Sequence, residues 1–118
     1  MIVEERIYRI RNGCMGRYLQ LVREEGLAIQ QPILGGLVGY FTSDIGPLSQ
    51  VTHWWAYADL QDRARRRQQL ADDPRWQAFL PRLSENIEQA ENRILVPTDF
   101  SPLQHLSGFV GSQEEKRL

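Results

Sequence analysis

The chain has 118 residues and a mass of 13.7 kDa, which fits one compact domain. Hydrophobic residues make up 42% and charged residues 25%, so the composition is that of an ordinary globular protein and excludes wholesale disorder. The 14 Lys and Arg against 15 Asp and Glu give a formal net charge of -1, which argues against a nucleic-acid partner and against a polybasic membrane anchor.

The start of the chain and its hydropathy indicate where the protein works. Glu4, Glu5 and Arg6 follow closely after Met1, whereas a signal peptide would be basic and then continuously apolar. No apolar stretch approaches the ~20 residues that span a bilayer. We therefore expect a soluble, cytoplasmic protein without a membrane partner.

The first half of the chain is predicted to hold a strand, a helix and a hairpin. Residues 2–11 are rich in β-branched and aromatic side chains and end at the turn signal Asn12-Gly13. From Met15 onward apolar residues recur at helical spacing, with a bend expected near Gly26 and no long continuation beyond Pro32. Residues 37–42 and 50–57 are strand candidates, and the turn-forming residues between them predict a hairpin.

The second half is predicted to hold two helical segments and a last strand. Asp59 is the expected N-cap of the first helix, and Pro74 is the expected first position of the second. Apolar spacing extends the second segment past Pro81 to Ile87 and Ala90. A short strand is expected over residues 93–96. Residues 104–118 are expected to form a loosely held tail after a single domain, 1–103.

The element order β-α-β-β-α-β is that of a split βαβ unit. It predicts an α+β, ferredoxin-like fold, in which helices cover one face of a four-stranded antiparallel sheet. In this arrangement the first strand and the strand over residues 50–57 are neighbours in the centre of the sheet.

Polar and aromatic side chains alternate along these two central strands. One face of the pair carries Glu4, Arg6, Tyr8, His53, Trp55 and Tyr57. Convergent polar groups of this kind are typical of a ligand site once they are enclosed. In this interpretation His53 is a general base or a ligand anchor, Arg6 orients an anionic or carbonyl-bearing group, and Trp55 and Tyr57 supply apolar walls. The alternative is structural, with an ion-pair network around Glu4, a hydrogen-bonded His53 and aromatic side chains that fill an interface.

A series of ordered motifs runs through most of the chain. They are Glu4-x-Arg6-x-Tyr8, Leu37-Val38-Gly39-Tyr40-Phe41, Gly46-Pro47-Leu48, His53-x-Trp55-x-Tyr57, Asp73-Pro74-x-Trp76 and Glu91-Asn92-Arg93-Ile94-Leu95. Over residues 2–103 the chain resembles the NIPSNAP family. The resemblance implies a dimeric α/β barrel, in which two ferredoxin-like sheets face each other across a homodimer. It implies little about biochemistry, since relatives by fold include cofactor-independent monooxygenases, haem-handling proteins and small-ligand binders.

The two faces of the sheet are expected to have different partners. We expect the face that carries Tyr8, Trp55 and Tyr57 to be free of helices and to be closed by a second copy of the chain, because exposed aromatic surface marks an interface. Trp54 points to the opposite face of its strand and is therefore expected to pack under the helices, against residues such as Trp76.

Four arginines, Arg63, Arg65, Arg66 and Arg67, lie close together on one predicted helix. Such a cluster can grip phosphate or RNA. However, the spacings Asp59–Arg63 and Asp62–Arg66 suit ion pairs on a helix surface, and a charged helix face is the better interpretation.

Neither a reactive thiol nor a metal site is favoured. The single cysteine, Cys14, excludes an internal disulfide and a multi-cysteine zinc site, and we interpret it as a bystander thiol. His53 and His105 are the only histidines, and their surroundings lack metal-ligand spacing. We expect no cofactor.

Three functions remain open at this point. The leading one is a homodimer that binds a small, partly apolar molecule in its barrel. The second is a cofactor-independent enzyme, a monooxygenase or an isomerase, with His53 as general base. The third is a protein-interaction module whose barrel is only a packed core.

Overall fold

The computed structural model of the protein describes residues 1–105, the last two by their backbone alone. In chain order its elements are β1 (Ile2–Ile10), α1 (Met15–Leu21), a π-helical turn (Val22–Gly26), α2 (Leu27–Leu34), β2 (Gly36–Thr42), β3 (Gln50–Tyr57), α3 (Leu60–Ala71), α4 (Pro74–Ser84), β4 (Ile87–Leu95) and α5 (Pro102–His105). The strands form one antiparallel sheet in the order β2-β3-β1-β4, and the core lies between this sheet and the helices on one of its faces. The predicted α+β, ferredoxin-like fold is confirmed.

Two findings concern the expected absence of a membrane span and the expected tail at the end of the chain. Among the described residues, no helix has the length and apolar character needed to cross a membrane. The predicted tail, 104–118, lies outside the described residues except for the backbone of its first two positions.

The central strand pair follows the predicted pairing. β1 pairs antiparallel with β3, and Glu4 lies opposite Trp55 while Arg6 lies opposite His53. Side chains directly opposite each other on one sheet face are close neighbours. The register therefore places the polar and aromatic side chains of the two strands on the same face of the sheet, as the alternation predicts.

Two aspartate N-caps hold the second half of the fold in place, the predicted one at Asp59 and another at Asp73. A side-chain oxygen of Asp59 accepts a hydrogen bond from the backbone N–H of Asp62 at 2.7 Å, and Asp73 accepts one from the N–H of Arg75 at 2.8 Å. Each cap satisfies a donor that the first turn of a helix leaves free. Pro74 occupies the first turn of α4, where its missing N–H costs nothing.

The first helical segment ends shortly after Pro32, as predicted, and it is irregular. It continues through Pro32 and ends at Leu34, where Gly35 adopts a left-handed φ of 87°. The bend expected near Gly26 is present as the π-helical turn, which widens the helix by one residue. A Cβ at Gly26 would lie 3.1 Å from the ring of Phe79, so the turn allows α4 to pack closely here.

The last strand was predicted wrongly. It begins at Ile87 and runs to Leu95, whereas the apolar spacing had assigned Ile87 and Ala90 to a helix. Buried Asn86 ends α4, because its side-chain amide donates to the backbone carbonyls of Arg82 and Leu83 at 3.0 and 3.4 Å. Pairing with β1 then determines the conformation of the following residues, which overrides their helical spacing.

The assignment of the two sheet faces was also wrong. Trp55 and Tyr57 are fully buried in the core between the sheet and the helices, and Tyr8 packs against the same core. Trp54 instead lies on the face opposite α1 to α4, where its indole donates to Glu5 at 2.9 Å and packs edge-on against Phe41. Leu103 of the short helix α5 lines a small pocket on this face together with Trp54. The alternation was correct, but both faces of β3 carry a tryptophan, so the pattern did not determine which face the helices cover.

Gly36 is expected to be the least tolerant glycine of the sheet. A Cβ at Gly36 would lie 2.5 Å from the backbone carbonyl oxygen of Ala56 on the neighbouring strand. We expect Gly36→Ala to lower the free energy of unfolding by about 1–3 kcal/mol, since the strands must separate to admit the methyl group. Urea denaturation followed by circular dichroism measures this change.

Gly16 on α1 provides the matched control, because nothing lies within 4 Å of its ideal Cβ. Gly16→Ala is expected to stabilise the protein by up to about 1 kcal/mol, since alanine is the better helix former. Equal destabilisation by the two substitutions would contradict the close approach of β2 and β3.

Candidate functional site

A cavity of about 150 Å³ lies between the helix-covered face of the sheet and the helices. Every strand and each of α1 to α4 contributes to its lining. The polar lining residues are Arg6, Tyr8, Tyr18, Gln30, Tyr40, His53 and Arg67, and the apolar ones are Trp76, Leu80, Leu83 and Ile87. An engineered apolar cavity of about this volume holds a molecule of benzene, so the space suits a small organic ligand.

His53 is a neutral hydrogen-bond donor in this cavity. Its Nδ1 accepts a hydrogen bond of 2.7 Å from the indole Nε1–H of Trp55. An indole only donates, so Nδ1 carries no proton and the neutral ring carries its proton on Nε2. Burial, followed by the charges of Arg6 and Arg67, lowers the pKa of His53 to about 3, against a weaker opposing effect of Glu4.

The Nε2–H of His53 has no acceptor among the described residues although it is buried. The ring stacks on Tyr40 with centroids 4.4 Å apart and meets the edge of Tyr8 at 4.9 Å, which fixes its orientation. At neutral pH the basic nitrogen is engaged by Trp55, and the free nitrogen offers a proton and no lone pair. This geometry favours an anchor that donates to a ligand oxygen and does not favour the predicted general base.

Glu4 organises the positive side of the site from outside the cavity lining. Its side chain is fully buried, and its Oε2 accepts hydrogen bonds from Arg6 at 2.9 Å, Arg63 at 2.8 Å and Asn92 at 2.8 Å. Burial alone would raise the pKa of Glu4, but the hydrogen bonds from Arg63 and Asn92 and the charges of Arg6 and Arg63 lower it to about 2. The predicted ion pair of Glu4 and Arg6 is therefore present, as part of a larger network.

Two tyrosines of the cavity, Tyr18 and Tyr40, form a hydrogen-bonded pair. The hydroxyls of Tyr18 and Tyr40 lie 2.5 Å apart, and Tyr8 accepts a hydrogen bond from Arg6 Nε at 2.8 Å. Burial raises the pKa values of Tyr18 and Tyr40 well above their usual range. One hydroxyl proton lies between Tyr18 and Tyr40, and the second proton of the pair remains for another acceptor.

Three of the six predicted site residues line the cavity, namely Arg6, Tyr8 and His53. The other three lie directly behind it. Trp55 fixes the ring of His53, and Glu4 holds the guanidinium of Arg6. Tyr57 is buried, its hydroxyl has no hydrogen-bond partner among the described residues, and burial raises its pKa to about 12.

Sequence reasoning missed four polar lining residues, Tyr18, Gln30, Tyr40 and Arg67. Tyr40 reaches the helix-covered face because the register shifts between Leu37 and Gly39, so Leu37 and Tyr40 both lie on one side of β2. The two small glycines that flank this stretch, Gly36 and Gly39, are the sequence signal that could have indicated a bulge.

The arginines of α3 divide between structural and cavity positions. Arg65 and Arg66 pair with Asp62 at 2.6 and 2.9 Å, so the predicted Asp62–Arg66 pair is present. The predicted pair of Asp59 with Arg63 is absent, because Asp59 caps the helix and Arg63 reaches across to Glu4. Arg67 lines the cavity and has no carboxylate within ion-pair distance in the part of the chain that the structure describes.

Two other parts of the molecule are weaker candidates for a site. A larger depression of about 400 Å³ lies on the face opposite α1 to α4, between Ile7 and Leu48. No residue that lines it has a buried polar atom without a partner, whereas His53 in the smaller cavity has one, so the smaller cavity is the better candidate. Within the described residues, no group of three or more His, Cys, Asp or Glu side chains could hold a metal ion.

The lowered pKa of His53 predicts a loss of stability in mild acid. The unfolded chain takes up a proton at this histidine below about pH 6.5, whereas the folded chain does so only near 3. The unfolded state then binds more protons, so stability falls as the pH falls through this window. We expect a loss of about 2 kcal/mol from this group between pH 7 and pH 5, measured by urea denaturation.

His53→Phe is the matched variant, because it keeps a ring against Tyr40 and removes the titration. We expect the variant to be less stable than the parent at pH 7, since Trp55 loses its acceptor. Its free energy of unfolding is expected to change less than that of the parent between pH 7 and pH 5. Glu4 does not contribute to this window, because its stabilisation is lost only below about pH 4.5. If the free energy of unfolding depended equally on pH in the parent and the variant, His53 would not be a neutral, buried side chain.

Comparison with known proteins places this geometry in a family. The NIPSNAP family model matches residues 3–102. The chain is 35% identical over 109 residues to human protein NipSnap homolog 2, an alignment that covers 87% of this chain and 35% of that protein. The chain therefore spans about a third of the length of this curated relative.

Solved structures of similar length also match the chain. A NIPSNAP family protein from Agrobacterium tumefaciens is 74% identical, with a TM-score of 0.86 over 86% of this chain and 97% of that one. An antibiotic biosynthesis monooxygenase is similar with a TM-score of 0.59 over 83% of this chain and 99% of that one, and at 13% identity it shows the fold alone. The family match over nearly the whole described chain, together with its close structural relative, shows that this chain belongs to the NIPSNAP family.

Proposed function

We propose that this protein binds a small, partly apolar molecule in the cavity between the sheet and α1 to α4. The observation that carries the proposal is the buried Nε2–H of His53, a donor without an acceptor among the described residues, at a cavity of about 150 Å³. A buried polar group without a partner costs free energy, and a ligand oxygen at hydrogen-bond distance would offset that cost.

The cavity differs from the site expected from the sequence, which lay between two sheets of a dimer. Its apolar wall comes from α4 of the same chain, through Trp76, Leu80 and Leu83. Ligand binding in this cavity therefore does not depend on a second copy. Ligand binding and dimer formation can therefore be tested separately.

The three tryptophans of the chain provide the test of ligand binding. Trp76 lines the cavity and Trp55 donates to His53, whereas Trp54 lies on the other face of the sheet. Nitrogen-15 NMR of the indole N–H groups, assigned by single Trp→Phe variants, would be followed during titrations with benzyl alcohol, benzamide and benzoate at millimolar concentrations. We expect at least one probe to shift the signals of Trp55 and Trp76 and to leave Trp54 unchanged.

Two results would overturn the proposal. Absence of any shift with all three probes would show that the cavity does not accept benzene-sized molecules. A shift of Trp54 alone would place binding on the face of the sheet opposite α1 to α4. His53→Phe serves as the specific control, and it is expected to weaken binding of every probe that shifts Trp55, because the donor at Nε2 is lost.

We further propose that the chain forms a homodimer through the face of the sheet opposite α1 to α4. This face carries Trp54 and Ile7, and exposed Phe41 and Leu48 extend its apolar surface at the β2 edge and in the following loop. Apolar surface of this kind on one sheet face supports burial against another chain. Sedimentation velocity is expected to give a dimer, and a stable monomer at micromolar concentration would contradict it.

A further inference from the structure

The charges around the cavity are unbalanced. Arg6 and Arg67 line it, and Arg63 lies just behind. Glu4 is the carboxylate that accepts from two of these guanidiniums, Arg6 and Arg63. In the described part of the chain, Arg67 has no carboxylate within ion-pair distance, so one positive charge at the cavity is not neutralised by a protein carboxylate. Uncompensated charge next to buried surface favours a ligand of the opposite sign.

The neutral groups of the cavity are arranged as donors as well. His53 presents its Nε2–H, because Trp55 occupies Nδ1. The Tyr18–Tyr40 pair retains one hydroxyl proton beyond the one shared between the two oxygens. Donors from three elements and the guanidinium of Arg67 therefore surround one space, and an oxygen with several lone pairs and a negative charge satisfies them best.

The rest of the lining limits what the anion can carry. Trp76, Leu80 and Leu83 form one wall, and the volume of about 150 Å³ accommodates a body about the size of a benzene ring. An apolar wall opposite a cationic side is the arrangement that an amphipathic anion requires. Inorganic phosphate or sulfate would leave this wall without a partner.

We infer that the ligand is a small organic carboxylate, whose charged group lies among Arg67, His53 and the Tyr18–Tyr40 pair and whose apolar body packs against α4. This inference rests on the proposed ligand-binding function and specifies the chemical class of the ligand. A planar guanidinium suits a carboxylate because two of its N–H groups can donate in parallel to the two oxygens.

The test compares ligands of one shape and different charge. Benzoate and benzamide have the same ring and nearly the same outline, and inorganic phosphate has the charge without the ring. With the indole signals of Trp55 and Trp76 as the measurement, we expect benzoate to bind at least tenfold more tightly than benzamide at neutral pH. Phosphate at the same concentration is expected to leave both signals unchanged.

Arg67→Gln is the informative variant, and Arg65→Gln is its matched control on the same helix. Arg65 is largely exposed and pairs with Asp62, away from the cavity. We expect Arg67→Gln to reduce the preference for benzoate over benzamide to less than threefold, with benzamide binding unchanged. Arg65→Gln is expected to preserve the tenfold preference.

The outcomes separate this inference from the function on which it rests. Equal binding of benzoate and benzamide at Trp55 and Trp76 would overturn the carboxylate class and would leave the ligand-binding function standing. If phosphate displaced benzoate and bound as tightly as benzoate does, an inorganic oxyanion would suffice. This result would also overturn the inference. Failure of every probe to shift the two signals would overturn both proposals.

Discussion

Glu4→Gln is expected to lower the free energy of unfolding by about 3 kcal/mol, because it removes the one negative charge between two guanidiniums. Arg6 and Arg63 donate to the same carboxylate oxygen at 2.9 and 2.8 Å, and Asn92 adds a third hydrogen bond. The loss lies at the lower end of the range for broken buried ion pairs, since Arg6 and Arg63 remain 19% and 26% exposed and keep some hydration.

The acid response of the same variant provides a second measurement. The pKa of Glu4 is lowered to about 2 in the folded chain from 4.5. A carboxyl with a lowered folded pKa stabilises the protein above its unfolded pKa, and this contribution is lost as the pH falls from 4.5 toward 2. We expect the parent protein to lose stability through this window more steeply than Glu4→Gln, in urea denaturation at a series of pH values.

Glu88→Gln is the matched control for both measurements. Glu88 pairs with Arg9 at 3.7 Å, and both side chains are more than half exposed. An exposed pair of this kind contributes little, so the substitution is expected to change the free energy of unfolding by less than about 0.5 kcal/mol. If Glu4→Gln were as mild as Glu88→Gln, the buried network would not be a source of stability.

Local chemistry explains the parts of the fold that the sequence predicts well. The cap at Asp59, the position of Pro74 in the first turn of α4 and the alternation along β1 and β3 depend on residues close together in the chain, and they appear in the structure as expected. The start of β4 was missed because Ile87 and Ala90 have helical spacing, and their pairing with β1 joins residues about eighty positions apart. Such non-local contacts leave no local signal.

The candidate site was only partly predictable for a related reason. Alternation places His53 beside Arg6 whichever face the helices cover, so the proximity of these two side chains could be predicted. Tyr40 depends on a bulge and Arg67 on the packing of α3, neither of which has a fixed spacing. The packing of the whole core decides which face of the sheet the helices cover. The sequence of β3 does not, since Trp54 and Trp55 give both of its faces a large aromatic residue.

The two adjacent tryptophans therefore provide the sharpest test of the fold. Trp55 is fully buried in the core and Trp54 is half-buried on the other face. We expect Trp55→Ala to lower the free energy of unfolding by about 3–5 kcal/mol, through the lost packing and the cavity that remains. Trp54→Ala is expected to lose less than about 2 kcal/mol, the cost of one partly exposed hydrogen bond and an edge contact.

Dependence on protein concentration separates the two roles further. If the face that carries Trp54 is the dimer interface, the effect of Trp54→Ala grows as the protein is concentrated, because the parent gains stability from association and the variant gains less. The effect of Trp55→Ala stays the same at every concentration, because that side chain packs within one chain. Thermal melts of both variants across a hundredfold range of concentration measure this difference. If Trp54→Ala lost more stability than Trp55→Ala at the lowest concentration, the helices would cover the face of the sheet that carries Trp54. The site around His53 would then be misplaced.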